Sequence, residues 1–289
     1  MNDRLRMSAV ALEPVERCPL CKAAERTLFE RAASPPEQIH LMRCDQCGLI
    51  YTSAVVPAGD VARVYAAYNA ARDVESAQLR DQRLRMYAVD GAFARRHLRP
   101  CDSQMLDVGS GTGDFVTQFS DAFELHGVEV DTVARAACAR AHPALRLYAE
   151  LAAIPQSIAF DAIVFRGTLQ YMPDLHAVAT WCSERLRSGG RLFILATPNA
   201  ESLLAQMQRE QWVLANKAEH RYWFTRRHLL RLFGDGFRLV AYDLPYLGTP
   251  YEDYGSDLRK VLAMIENPQV LTDRVPFFGS MMNVVLEKS

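Results

Sequence analysis

From residue 103 to the end, apolar positions cluster in short continuous runs separated by amphipathic stretches, a pattern that predicts buried strands alternating with helices. The first run lies around Met105, and a helical pattern starts after Gly113 and is expected to reach about Phe123. Residues 126–131 read as a second strand, 132–142 as a helix capped by Asp131 and stopped by Pro143, and 145–148 as a third strand. A fourth run starts at Phe160 and Asp161, a helix is expected over 174–186, Gly189 and Gly190 make a turn, and 191–197 form a fifth strand. A sixth strand over 237–242, a helix near 257–266 and a closing strand over 283–287 complete the pattern. Strands spaced by helices imply a parallel sheet covered on both faces, an α/β fold.

Ahead of this alternation the period changes. Residues 60–98 carry apolar side chains at helical spacing, at Val61, Val64, Tyr65 and Tyr68 and more loosely at Leu79, Leu84, Met86 and Phe93. Arg80, Asp81, Arg83 and Arg85 supply the wet face, and Pro100 ends the segment. Earlier still, Cys18-Pro-Leu-Cys21 and Cys44-Asp-Gln-Cys47 are separated by 22 residues, with Gly48 free to turn behind the second pair. The chain thus divides into a cysteine module over 14–56, a helical connector over 57–100 and a main domain over 101–289, the last with aromatic insertions at about 200–224 and 244–280.

Four soft sulfur ligands in two such pairs, Cys18, Cys21, Cys44 and Cys47, suit one zinc ion in tetrahedral geometry, so the module is expected to be a zinc ribbon. Four protein ligands leave no open position, which makes the expected Zn2+ structural. A module of about 40 residues buries little apolar surface alone, and metal binding is expected to supply much of its folding free energy. His40 reads as a surface residue, and Cys101, Cys138 and Cys182 as ordinary scattered thiols.

Hydrophobic residues make up 49% and charged residues 23% of the 289, ordinary for a globular protein. The net charge of −1 provides no basic field for nucleic acid. No apolar run approaches the length of a membrane span, and residues 1–14 do not read as a secretory signal, so a cytoplasmic location is expected.

The main domain is organised around Asp107-Val-Gly109-Ser-Gly111-Thr-Gly113, a strand end, a tight turn and a helix start. Glycines let a ligand approach the backbone closely, and helix N-terminal N–H groups attract negative ligand groups. A dinucleotide fingerprint would need its third glycine one position later, where Asp114 stands. Glu129 ends the second strand twenty residues after Gly109, placed to accept hydrogen bonds from ribose hydroxyls. Glu150 follows the third strand, where an acid can accept from an adenine amino group. Val130, Leu151 and Arg166 join these as candidate cofactor contacts, and Tyr68 as an aromatic face that attracts a sulfonium cation.

Taken together, 106–113, Gly127-Val-Glu129, Phe160-Asp161-Ala-Ile-Val164 and 189–199 resemble the core of class I S-adenosylmethionine-dependent methyltransferases. The resemblance covers about 101–289 and implies a Rossmann-like seven-stranded sheet with helices on both faces and an antiparallel last strand. With its cysteine pairs, the chain is similar to bacterial sugar and secondary-metabolite methyltransferases that carry a zinc module. Where that family has Leu-Glu-His after the fourth strand, this chain has Leu169-Gln170-Tyr171. Glu219 and His220, before Phe224 and Thr225, match a Glu-His that the family often places ahead of a helix start, which makes His220 the candidate general base; Glu219 and Tyr171 are the further catalytic candidates. His176 and His228 sit in expected helices and are weaker candidates. The aromatic insertion around Trp212, Tyr222, Trp223 and Phe224 is a candidate lid and substrate wall. The expected activity is S-adenosylmethionine-dependent O- or C-methylation of a small sugar-like or secondary metabolite. The alternatives are RNA methylation, with the ribbon holding the nucleic acid, and a non-catalytic scaffold of the same fold.

Overall fold

The computed structural model describes residues 11–30, 39–57, 59–60, 77–208, 220–267 and 279–289. Tyr65, Tyr68, Trp212 and Glu219 lie outside the described residues.

The N-terminal module contains β1 (Glu13–Pro14), β2 (Arg26–Glu30), β3 (Leu41–Cys44), β4 (Ile50–Thr52) and β5 (Ala54–Val55). β1 pairs with β5, while β2, β3 and β4 form an antiparallel sheet with the cysteine pairs in the turns beside it. The connector contributes the helix α1 (Ala77–Arg95), which buries Met86, Asp90, Phe93 and Ala94. Leu79 and Leu84, expected on the buried face, are exposed at 52% and 39%, because the helix packs against the sheet through its C-terminal half alone.

The main sheet runs through β6 (Gln104–Val108), β7 (Glu124–Val128), β8 (Arg146–Tyr148), β9 (Phe160–Arg166), β10 (Leu186–Pro198), β12 (Phe237–Asp243) and β13 (Met281–Lys288), with the short β11 (Tyr222–Trp223) elsewhere. Its order is β12-β13-β10-β9-β6-β7-β8, with β13 antiparallel to both neighbours and the pairs from β10 to β8 parallel. Five further helices are described: α2 (Thr132–Ala141), α3 (Leu175–Arg185), α4 (Leu203–Gln208), α5 (Arg226–Phe233) and α6 (Tyr254–Glu266). Asp131, as expected, and Asp174 cap α2 and α3 by accepting backbone N–H bonds.

The helix expected after Gly113 is shorter than its pattern suggested. A 3-10 turn at Val116–Phe119 takes its place, burying Val116 and Phe119 under α1 and β7. Alternating strand residues feed two cores. Met105, Val164, Phe193 and Val285 face Phe93 and Phe119, whereas Leu106, Ile163, Phe165, Ile194 and Val284 face α3 and α5. Cys18, Leu20, Cys44, Leu49 and Tyr51 belong to this second core, so the module buries apolar surface against the sheet as well as within itself.

β11 pairs antiparallel with β4, placing Tyr222 opposite Tyr51 and Trp223 opposite Ile50. The aromatics expected to form a lid wall are therefore packing residues: Tyr222, Trp223 and Phe224 are all buried. Two-residue strand pairing reads poorly in a sequence because it repeats no period.

Candidate functional site

At the carboxyl end of β6 the chain turns sharply through Gly109, Gly111 and Gly113, whose φ values are +83°, +55° and +85°. Gly109 and Ser110 donate backbone N–H bonds of 2.8 and 3.0 Å to Val128 O, pinning the loop to the end of β7. The three glycines answer different demands. A Cβ on Gly109 would stand 2.2 Å from the Thr168 methyl, and one on Gly113 would stand 2.7 Å from Cys138 Sγ. At Gly111 a Cβ would meet nothing within 4 Å, so the loop is open to a ligand there.

Glu129, 8% exposed, accepts from Gly111 N–H and from Asp131 N–H, each at 2.8 Å. Each carboxylate oxygen keeps one further acceptor site. Arg135 holds the adjoining backbone through Glu129 O at 2.6 Å. Asp107 is fully enclosed beneath the loop, and its Oδ1 has no hydrogen-bond partner. Burial pushes its carboxyl up from 3.8 to about 7, against the opposing pull of Arg166. A buried carboxyl with an orphaned oxygen, a second carboxylate at a strand end and an open glycine turn together suit a ligand bearing both cationic and hydroxyl groups, as an aminoacyl-nucleoside does.

The other expected contacts spread outward from this centre. Val130 is 38% exposed beside Glu129, while Glu150 is exposed and Leu151 half-buried after β8. Arg166, at the end of β9, is engaged by groups absent from the sequence motif. Its Nε donates to Asp90 Oδ2 at 2.9 Å, and its guanidinium lies 4.1 Å from the Tyr87 ring centroid. Asp90 also accepts from Asn283 Nδ2 at 3.2 Å, and Asn283 Oδ1 accepts from Ala196 N–H at 2.8 Å. This buried network joins α1, β9, β10 and β13 under the site. Nothing in the local sequence of Asp90 or Asn283 signals it, because the partners are 76 and 193 residues apart. Thr168 was missed for the same reason; its hydroxyl donates to Val108 O at 2.6 Å while its methyl covers Gly109.

Beyond β9, Tyr171 and His220 come together. His220 Nε2 and the Tyr171 hydroxyl share a hydrogen bond of 2.8 Å, with ring centroids 4.8 Å apart. His220 is 3% exposed. Arg221 N–H donates to Gln170 O at 2.9 Å, which fixes the two segments side by side. His176 and His228 do different work: each contacts a backbone carbonyl of the cysteine module, Leu20 O and Cys47 O respectively, at 2.9 Å.

The four module sulfurs lie within 4.8 Å of one another, with Cys18–Cys47 at 3.6 Å and Cys21–Cys44 at 3.4 Å. Sulfurs at about 2.3 Å from a tetrahedral zinc are about 3.8 Å apart, so the set can hold the ion with small adjustments. Burial pushes the Cys18 thiol up to about 11, and a bound cation would favour its thiolate.

A family model described as a methyltransferase domain matches residues 71–242. Among solved structures, a complex between the Haloferax volcanii Trm112 methyltransferase activator and a methyltransferase is similar at 15% identity and TM-score 0.55, over 78% of this chain and 97% of that one. The geranyl diphosphate C-methyltransferase from Streptomyces coelicolor matches at 17% identity and TM-score 0.48, over 70% of this chain and 77% of that one. Streptomyces venezuelae DesVI matches at 23% identity and TM-score 0.35, over 37% of this chain, which spans 50% of that one. No curated protein sequence matches.

Proposed function

The chain belongs to the methyltransferase-domain family, and from that premise we propose that this S-adenosylmethionine-dependent enzyme methylates a small-molecule acceptor, with a structural zinc in its cysteine module. The observation that carries the reading is the glycine turn, open above Gly111 and flanked by the buried Asp107 and Glu129 carboxyls. Bound S-adenosylmethionine supplies a methyl group already activated on a sulfonium. Glu129, held by two backbone N–H groups, would accept from the ribose hydroxyls. Val130, Glu150 and Leu151 would hold the nucleoside. Asp107 offers its carboxyl to cationic groups below the turn, and Arg166, anchored by Asp90, supports that wall.

The remaining work is orientation of the acceptor, which can be worth about 7–11 kcal/mol of barrier. As a hydroxyl or carbon acid is methylated, its proton passes to the Tyr171 oxygen while the Tyr171 proton passes to His220 Nε2. The 2.8 Å contact supports such a relay. The buried His220 behind a half-buried Tyr171, with the net charge of −1, favours a small acceptor over a nucleic acid. The Cys18, Cys21, Cys44 and Cys47 sulfurs would hold Zn2+ in a closed, non-catalytic site.

Calorimetric titration with S-adenosylhomocysteine tests the reading. Micromolar binding to the wild type is expected, with loss of at least about tenfold in Glu129→Ala. With an authentic acceptor, His220→Ala should keep that affinity and lose roughly 100-fold in turnover. No binding by the wild type would refute the proposal.

A further inference from the structure

We infer that the cysteine module is a positioning element for the His220–Tyr171 pair, with His176 and His228 as its grips, so that metal occupancy fixes the geometry of methyl transfer separately from cofactor binding. The inference rests on the functional reading of His220 and Tyr171 given above.

The stretch from His220 to Phe224 is a strap bonded on both edges. On the module side, Thr52 N–H donates to Arg221 O at 3.1 Å, and Tyr222 and Trp223 pair with Tyr51 and Ile50. On the sheet-domain side, Arg221 N–H donates to Gln170 O at 2.9 Å, the Tyr222 hydroxyl to Pro173 O at 3.2 Å, and Ala200 N–H to Phe224 O at 2.9 Å. The Arg221–Gln170 bond lies one residue from His220 on one strand of chain and one residue from Tyr171 on the other. The separation of imidazole and phenol is therefore set by where the strap sits, and β4 forms one of its two flanks.

β4 begins three residues after Cys47, and its start is tied to the second cysteine turn. Gly48 N–H donates to Cys44 O, and Cys44 N–H to Leu49 O, both at 2.9 Å. A metal ion that fixes Cys44 and Cys47 therefore fixes the point from which β4 is laid down.

The two histidines bind the same turns from the other side. Thr225 N–H donates to His228 Nδ1 at 3.0 Å, so the ring proton is on Nε2 and is donated to Cys47 O at 2.9 Å. His176 Nε2 donates to Leu20 O, a carbonyl inside the first cysteine pair. Each cysteine turn is thus held by one imidazole from the sheet domain, through a carbonyl whose direction depends on the shape of the turn. The cofactor elements are anchored differently. Gly109 and Ser110 are bonded to Val128 O, Glu129 N–H donates to Tyr148 O, and Thr168 donates to Val108 O, all within the sheet domain.

Hydrogen-exchange mass spectrometry on the full chain, zinc-loaded and then chelated, tests the inference, with metal content and S-adenosylhomocysteine affinity measured on the same samples. One zinc per chain is expected when loaded. On chelation, exchange over 220–224 should rise at least about tenfold, exchange over 104–128 should hold, and cofactor affinity should stay within about threefold. In zinc-loaded protein, His228→Ala should raise exchange over 220–224, and His228→Gln, which keeps a donor for Cys47 O, should restore part of the protection. Unchanged exchange over 220–224 on chelation would overturn the inference, as would absence of bound metal. So would exchange rising equally over 104–128 with loss of affinity, since the module would then support the whole fold. Failure of the zinc-loaded wild type to bind S-adenosylhomocysteine would instead overturn the methyltransferase reading itself.

Discussion

Replacing Asp107 with Asn should make the cofactor-free protein lose less stability as pH rises, and weaken cofactor binding at the same time. The carboxyl is fully buried, one of its oxygens has no hydrogen bond, and burial holds it at about 7 against 3.8 in an exposed chain. Between those values the folded state keeps a proton that the unfolded state has released, so stability falls as pH rises from about 4 to about 7 and is level above. The full cost is about 4 kcal/mol, of which about 2 is already present at pH 5. Asn carries no charge at any pH, and any cost of burying its amide cancels between two pH values. Asp107→Asn should therefore gain about 2–3 kcal/mol more at pH 8 than at pH 5 relative to wild type, or some 5 °C in Tm. Urea titrations of the ligand-free proteins at both pH values measure this. A ligand ammonium brought to the carboxyl draws off its proton, so wild-type binding near pH 6.5 should release a fraction of a proton, seen as a buffer-dependent enthalpy that the variant lacks. A stability difference independent of pH would show that Asp107 is ionised and compensated, and would refute the reasoning.

The glycine turn separates a packing demand from a ligand demand. Gly113→Ala puts a Cβ 2.7 Å from Cys138 Sγ at φ +85° and should cost about 2–4 kcal/mol in thermal or urea unfolding. Gly111→Ala, with open space above it, should cost about 1 kcal/mol but lower S-adenosylhomocysteine affinity at least tenfold by calorimetry; unaltered affinity would place the cofactor elsewhere. Asp90→Ala leaves Arg166 and Asn283 without their shared partner and should cost about 3–5 kcal/mol, whereas the pair Asp90→Leu with Arg166→Met should recover much of that in urea unfolding. Equal losses in the single and double variants would show that the network's worth is packing rather than charge compensation.

Local chemistry made much of this protein legible from its residues alone. Alternating apolar runs dictate strands and helices because each must bury a face, and β6 to β9, α2, α3 and the closing strand fall within a few residues of their expected places. β10 instead starts at Leu186 and runs through Gly189 and Gly190, where a turn was expected. Asp131 and Asp174 announce helix starts through bonds to the next turn of their own chain. The glycine turn and the clustering of the paired cysteines were legible for the same reason: a turn needing positive φ, or two sulfurs on one knuckle, is specified within a few residues.

The tertiary structure alone decided what depends on distant partners. Tyr222 and Trp223 read as the wall of a lid and are instead a strand edge, because Tyr51 and Ile50, some 170 residues earlier, supply the missing hydrogen bonds. His176 and His228 read as spare bases, yet their ring nitrogens bind carbonyls of the cysteine turns. Arg166 carries no local sign that Asp90 will neutralise it, nor does His220 that Tyr171 will meet it at 2.8 Å. A sequence specifies which faces must be buried and which turns must bend; which buried face meets which is settled when the layers pack, and in this chain the pairing of the proposed proton relay arises at that step.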